Sequence, residues 1–245
     1  MGTPMMPPAS HSSQEFANTR WSLVLRRKDA TPEASNALSE LVQRYGYPVY
    51  AYIRRCGHSP DIAREMTQAF LQHLIGDFRQ HDEVGTKGHY REYLLGRLHD
   101  FLGGDWRDAL ETQPAAAALA LPEMEARYLR DHVRPGSPDH AFQRSFALEV
   151  LHRAMGRLRE EVGQTGRMDM FAALEPYLAR EPEAGIYEQL AQGLHTRPLV
   201  LAMALKRLRQ RLRELTSEEM ADTVDNAADL MAEQEILLNT LRDRD

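Results

Sequence analysis

Cysteine occurs once in the 245 residues, at Cys56, which excludes a disulfide framework and any metal site built from several cysteines. A reducing, cytoplasmic setting is the expectation that follows. No run of about 18 apolar residues is present, so no membrane span is expected. Met1-Gly2-Thr3-Pro4 lacks the basic and apolar blocks of a signal peptide. Strand signals are scarce: sustained alternation is rare, and Asn-Gly and Asp-Gly hairpin turns are missing. Nucleotide-cradling glycine motifs, His-Glu-x-x-His, paired Cys-x-x-Cys and Gly-x-Ser-x-Gly are all absent. The ten histidines are scattered, and His81-Asp82-Glu83 is their nearest approach to a metal-ligating cluster. Nothing here supports an enzyme, and no cofactor is expected.

What is present is helical spacing, and the chain reads as all-α. Its 42% hydrophobic and 27% charged residues suffice for a buried core and a solvated surface. Thr31-Pro32-Glu33 supplies a cap, a first-turn proline and a first-turn acid for a helix reaching Cys56, with an expected break at Gly46-Tyr47-Pro48. Ser59-Pro60-Asp61 opens the next helix in the same way. Tyr90 to Trp106 forms a third, with Tyr93, Leu94, Leu98, Phe101 and Leu102 on its inner side. A turn-rich stretch with an alanine run follows, then a second helical unit. The expected organisation is an unstructured arm over 1–15, a helical domain over 16–110, a linker over 111–140 with a short helix near 123–131, a second helical domain over 141–215, and an acidic extension over 216–245.

The net charge of −6 conceals an asymmetry. Residues 214–245 hold ten acids against two arginines, and Lys206 to Arg213 holds five bases without an acid. That basic run belongs to a helix-turn-helix pattern beginning at Tyr187. Ala191 is small where a second helix would cross, Gly193-Leu194 makes the corner, Thr196 caps and Pro198 enters the second helix. Leu201, Leu205, Leu208 and Leu212 face inward. Thr196, Arg197, Lys206, Arg207, Arg209 and Arg211 are the candidate DNA contacts, since the second helix of such a motif enters the major groove. Flanking arginines supply phosphate affinity rather than base choice.

Three further blocks, with this motif, resemble an extracytoplasmic-function (group 4, sigma-70 family) bacterial RNA polymerase sigma factor. Thr19-Arg20-Trp21 with Tyr45-Gly46-Tyr47-Pro48 resembles the opening helices of region 2. Gly57 to Leu71 resembles the core-polymerase-binding helix, and Tyr90 to Arg107 the promoter-melting helix. The helix-turn-helix resembles region 4, and the acidic tail resembles the C-terminal extension of a kinase-associated branch. The resemblance implies docking on the β′ clamp and β flap of core RNA polymerase, opening of the −10 element by region 2 and recognition of the −35 element by region 4. It implies polymerase contacts at Asp61, Arg64, Glu65 and Gln68, and −10 contacts at Arg91, Arg97, Trp106 and Arg107.

The chain departs from that pattern in places. Acids expected in the polymerase-binding helix are replaced by Ile62, Arg64 and Ala69. Phosphorylation of Thr67 by a Ser/Thr protein kinase would restore charge there, although Thr67 falls toward the apolar arc, where a mid-helix threonine commonly bonds the preceding turn. The segment after Arg107 is acidic where the family is basic. The early recognition helix holds Leu199, Ala202 and Met203 where base-reading polar groups are usual. Two other readings fit the same residues: a helix-turn-helix regulator acting without polymerase, and a sigma-like adaptor that binds a kinase or another protein. The tail, an amphipathic helix by its leucine spacing, is expected to pack on the region 4-like domain, to bind a partner, or to cover the basic helix as an autoinhibitor.

Overall fold

The computed structural model describes residues 32–80, 90–104, 124–132, 136–221 and 227–242. Among them are nine α-helices and no strand. They are α1 Pro32–Arg55, α2 Pro60–Gln80, α3 Tyr90–Gly103, α4 Met124–Asp131, α5 Pro138–Gln164, α6 Met168–Leu174, α7 Ile186–Gly193, α8 Pro198–Ala221 and α9 Ala227–Arg242. A short 3-10 turn, Glu175–Tyr177, follows α6. None of the helices is long and apolar enough to cross a membrane.

Two compact units divide the chain. The first runs to Phe146 and takes back the C-terminal segment from Ala221; the second is Ala147–Met220. The division falls inside α5. In its described part, the stretch expected as a linker carries α4 and the start of α5, both within the first unit.

The first unit is built on α1. Tyr45, Val49, Tyr50, Ala51 and Ile53 are buried almost completely, which leaves this part of the helix little solvent face. That burial explains a departure from expectation. Pro48 lies inside α1 without ending it. A proline removes one helical hydrogen bond and crowds the preceding turn. Packing on all sides holds the helix through that defect, since tertiary contact outweighs local propensity. Gly57 then stops the chain at φ +98°, a left-handed conformation that side-chain-bearing residues adopt at a cost. Ser59 Oγ accepts the Ile62 N–H at 3.4 Å and opens α2. Ala63, Met66, Phe70, Leu71 and Leu74 line its inner face.

Helix α4 is fastened to α1 by polar groups. Arg54 donates to both carboxylate oxygens of Glu125, each at 2.8 Å, and Tyr50 donates to Glu125 Oε2 at 2.6 Å. Tyr47 donates to Asp131 Oδ2 at 2.9 Å. The Arg54 guanidinium lies 5.1 Å from the centroid of the buried Tyr128 ring, and Arg127 stacks 3.9 Å from that of Tyr47. The Arg54 bonds hold the Glu125 carboxyl below its ordinary range. Burial is the first cause raising the Tyr47 and Tyr50 hydroxyls, so both remain protonated donors.

In the second unit, Ala154, Leu158, Phe171 and Leu215 form one buried cluster, and Leu174, Ala191, Leu201 and Leu205 another. Leu208 packs against both. Helix α8 continues past Leu215 to Ala221, so the first residues of the expected acidic extension are part of this unit. Glu219 is buried there, 3.0 Å from Arg153 and 3.1 Å from Arg157.

Candidate binding surfaces

Helix α2 offers the first surface. Asp61, Arg64, Glu65 and Gln68 recur at helical spacing on one side, the first three exposed and Gln68 half-buried. Arg64 Nη1 lies 3.3 Å from Asp61 Oδ1, so the cation offsets an acid of its own face. Thr67 lies elsewhere. It is fully buried, and its hydroxyl donates to the Ala63 carbonyl at 2.7 Å. A kinase cannot reach that oxygen while α2 is packed, and a phosphate there would place charge in the core. Thr67 thus lies on the apolar arc that its spacing indicated, and its phosphorylation would require α2 to unpack.

Helix α3 was expected to present Arg91 and Arg97. Arg97 is partly exposed, 3.8 Å from Asp100. Arg91 is only 3% exposed. Its Nε donates to Glu233 Oε1 at 2.8 Å and its Nη2 to Glu233 Oε2 at 3.0 Å, while Nη1 donates to Gln143. The acid comes from α9, in the C-terminal extension. In this arrangement Arg91 faces a carboxylate, which corrects its assignment as an open DNA contact. Helix α9 of the tail therefore meets α3 of the first unit, while residues 216–220, also counted in the expected extension, belong to α8 of the second. Trp106 and Arg107 lie outside the described residues, as does His81-Asp82-Glu83.

The second unit carries the helix-turn-helix in α7 and α8. Its corner is held by backbone bonds: Leu194 N–H to the Leu190 carbonyl at 3.0 Å, and Thr196 N–H to the Ala191 carbonyl at 3.0 Å. His195 sits between them at φ +49°, a left-handed position unusual for a residue with a Cβ. Leu194 packs into the cluster of Leu174, Ala191, Leu201 and Leu205. Leu201 and Leu205 face inward as the leucine spacing indicated, with Leu208 and Leu212 packed at the edge.

The six candidate residues of this motif separate into two groups. Arg197, Lys206 and Arg207 are exposed, and Thr196 is half-buried at the start of α8. Arg209 instead donates to the Tyr177 carbonyl at 2.8 Å and the Arg180 carbonyl at 2.6 Å, and pairs with Glu181. Arg211 pairs with Glu161 at 2.7 Å, Glu218 at 3.1 Å and Glu214 at 3.2 Å. These two arginines tie α8 to its surroundings. Between Arg197 and Lys206 the outer face is apolar, with Leu199 70%, Met203 49% and Val200 42% exposed.

Sequence reasoning missed the acids that engage buried or half-buried arginines, above all Glu233 and Glu219. A signal existed for Glu233. It stands in register with Leu230, Leu237 and Leu241, so it is an acid on an otherwise apolar stripe. Cys56 is exposed, and its thiol is pushed up first by partial burial and then by Asp139, away from the range of an activated nucleophile. Among the described residues no three His, Cys, Asp or Glu side chains converge as metal ligands. No family model, no curated protein and no solved structure matches the chain.

Proposed function

We propose that this chain is a sigma factor of the extracytoplasmic-function type, binding core RNA polymerase and directing it to promoters. The observation that carries the reading is a pair of surfaces, each in its own helical unit. One is the polar side of α2 with Asp61, Arg64, Glu65 and Gln68. The other is a helix-turn-helix whose second helix presents Arg197, Lys206 and Arg207. In this reading α2 docks on the β′ clamp and α8 lies in the major groove at the −35 element.

The exposed residues of α8 also define how bases would be read. Leu199, Val200 and Met203 offer apolar contacts suited to thymine methyl groups, while Arg197, Lys206 and Arg207 hold the flanking phosphates. A cleft of about 260 Å³ in the same unit, with Leu158, Val162, Met170, Phe171 and Arg207 in its lining, is the place this reading gives to an apolar helix of the β flap. The −10 element falls to α3 and to Trp106 and Arg107. Docking requires no modification of Thr67, whose hydroxyl is enclosed.

The test is a titration of the purified full chain against core RNA polymerase, followed by transcription from a library of promoter fragments. Binding with promoter-selective transcripts supports the reading. Tight duplex binding without polymerase binding would instead indicate a helix-turn-helix regulator, and absence of both an adaptor of proteins.

A further inference from the structure

Helix α9 meets the rest of the first unit along one side. Of the side chains described on it, only Glu233 and Leu237 are buried, with Leu230 and Leu241 half-buried beside them. The opposite side is open, with Met231 71% and Leu238 50% exposed. Among the side chains described on this 16-residue helix, one leucine and one acid are the ones fully enclosed.

The acid is the more telling contact. Glu233 is 1% exposed and grips Arg91 with both oxygens. A buried ion pair adds little net stability over a well-packed apolar pair, because both charges lose their water. It does impose a strict demand for an anion at that point. The two parallel N–H donors of a guanidinium fit a carboxylate and a phosphate by the same fork geometry. The carboxylate at Arg91 thus has the charge and shape of a backbone phosphate. It arrives on the most acidic segment of the chain, against the helix to which the proposed function gives the opening of DNA.

We propose that Arg91 is a phosphate-binding position for single-stranded nucleic acid, and that α9 is an internal competitor whose Glu233 occupies it. Docked α9 keeps α3 from engaging the strand; nucleic acid gains Arg91 when α9 leaves. This rests on the assignment of α3 to promoter opening but not on polymerase binding. Gln143, which accepts from the third Arg91 nitrogen, remains in place as α9 departs and keeps the guanidinium oriented.

The experiment uses the full chain, a fluorescent single-stranded DNA oligonucleotide and amide exchange over 227–242. Glu233→Gln removes the charge while keeping the shape. Leu237→Ser loosens the same seam without touching the ion pair. Both are expected to speed exchange in α9 and to tighten oligonucleotide binding by about tenfold or more, the penalty lifted if α9 is docked nine-tenths of the time or more. Adding Arg91→Gln to Glu233→Gln is expected to abolish the gain. Faster exchange in α9 with unchanged affinity would overturn the proposal, as would a gain that survives loss of Arg91. Unchanged exchange in both variants would also overturn it, since the seam would then not be what holds α9. Core polymerase binding is measured in parallel. If it is present while the oligonucleotide gain is missing, only this inference falls; if the gain is present without polymerase binding, only the sigma reading falls.

Discussion

Arg64 Nη1 lies 3.3 Å from Asp61 Oδ1, so the exposed side of α2 neutralises one of its own acids. Both side chains are well exposed, at 52% and 83%, and such a pair contributes little to folding. Its consequence is for docking. A basic partner surface meets one uncompensated acid, Glu65, in place of two.

Replacing Arg64 by Gln is therefore expected to raise affinity for core RNA polymerase by about threefold to tenfold, chiefly through the association rate. The gain should shrink as salt is added, because exposed charges are screened beyond about 8–10 Å at physiological ionic strength. Association kinetics at two salt concentrations check this. Unchanged kinetics would place the polymerase contact elsewhere.

Thr67 is enclosed, and its hydroxyl is already bonded to Ala63. Thr67→Asp is expected to lower stability by about 3 kcal/mol or more, since it buries a charge without a partner. It should not tighten polymerase binding. Urea denaturation and the polymerase titration, performed on the same sample, test both halves. A stable Thr67→Asp protein that binds more tightly would restore threonine modification as the activating step.

His132 supplies a pH dependence. Its ring lies beside Ser145 at 2.8 Å and between the Tyr47 and Tyr128 rings. Burial comes first, then Arg55, in lowering its pKa to about 4; Arg144 and His140 add to this and Asp131 opposes it. The sign follows from linkage. In the unfolded chain the ring takes a proton below its ordinary pKa of about 6.5, whereas in the fold it stays neutral to about 4. Its contribution to stability is thus lost as pH falls from about 6.5 toward 4. His132→Gln is expected to flatten the stability profile across that window relative to the parent chain. Denaturation midpoints at a series of pH values measure the difference, and parallel profiles would contradict it.

The arginines of α8 divide by their partners. Arg207→Ala is expected to reduce the slope of log affinity against log salt for duplex DNA by about one, as for one lost phosphate contact. Arg209→Ala and Arg211→Ala should leave the slope unchanged and lower the thermal midpoint, because these side chains hold Tyr177, Arg180, Glu181 and Glu161. Fluorescence anisotropy across a salt series, beside thermal unfolding, separates the two groups. Equal slope changes at all three positions would mean that the ion pairs open on DNA.

Local chemistry made the helix starts legible. Pro32, Pro60 and Pro198 each begin a helix where a preceding cap residue and a first-turn proline pointed. Asp61, Arg64, Glu65 and Gln68 do share one face of α2, but it was the resemblance that picked them out, and spacing shows only that they stand together. Pro48 misled because burial of α1 on several sides is a property of its neighbours. The fates of Arg91, Arg209 and Arg211 were hidden for a similar reason. Their partners stand 142, 28 and 50 residues away, and a basic side chain reads alike whether it faces solvent or a distant carboxylate.

Equilibrium titration of the unmodified full chain against core RNA polymerase, with Asp61→Lys and Glu65→Lys as controls, decides whether α2 docks on the polymerase. Saturable one-to-one binding is expected, weakened by about tenfold or more in either control, as reversal of a contacting rim charge does. No binding by the parent chain, or binding indifferent to both reversals, would contradict this docking.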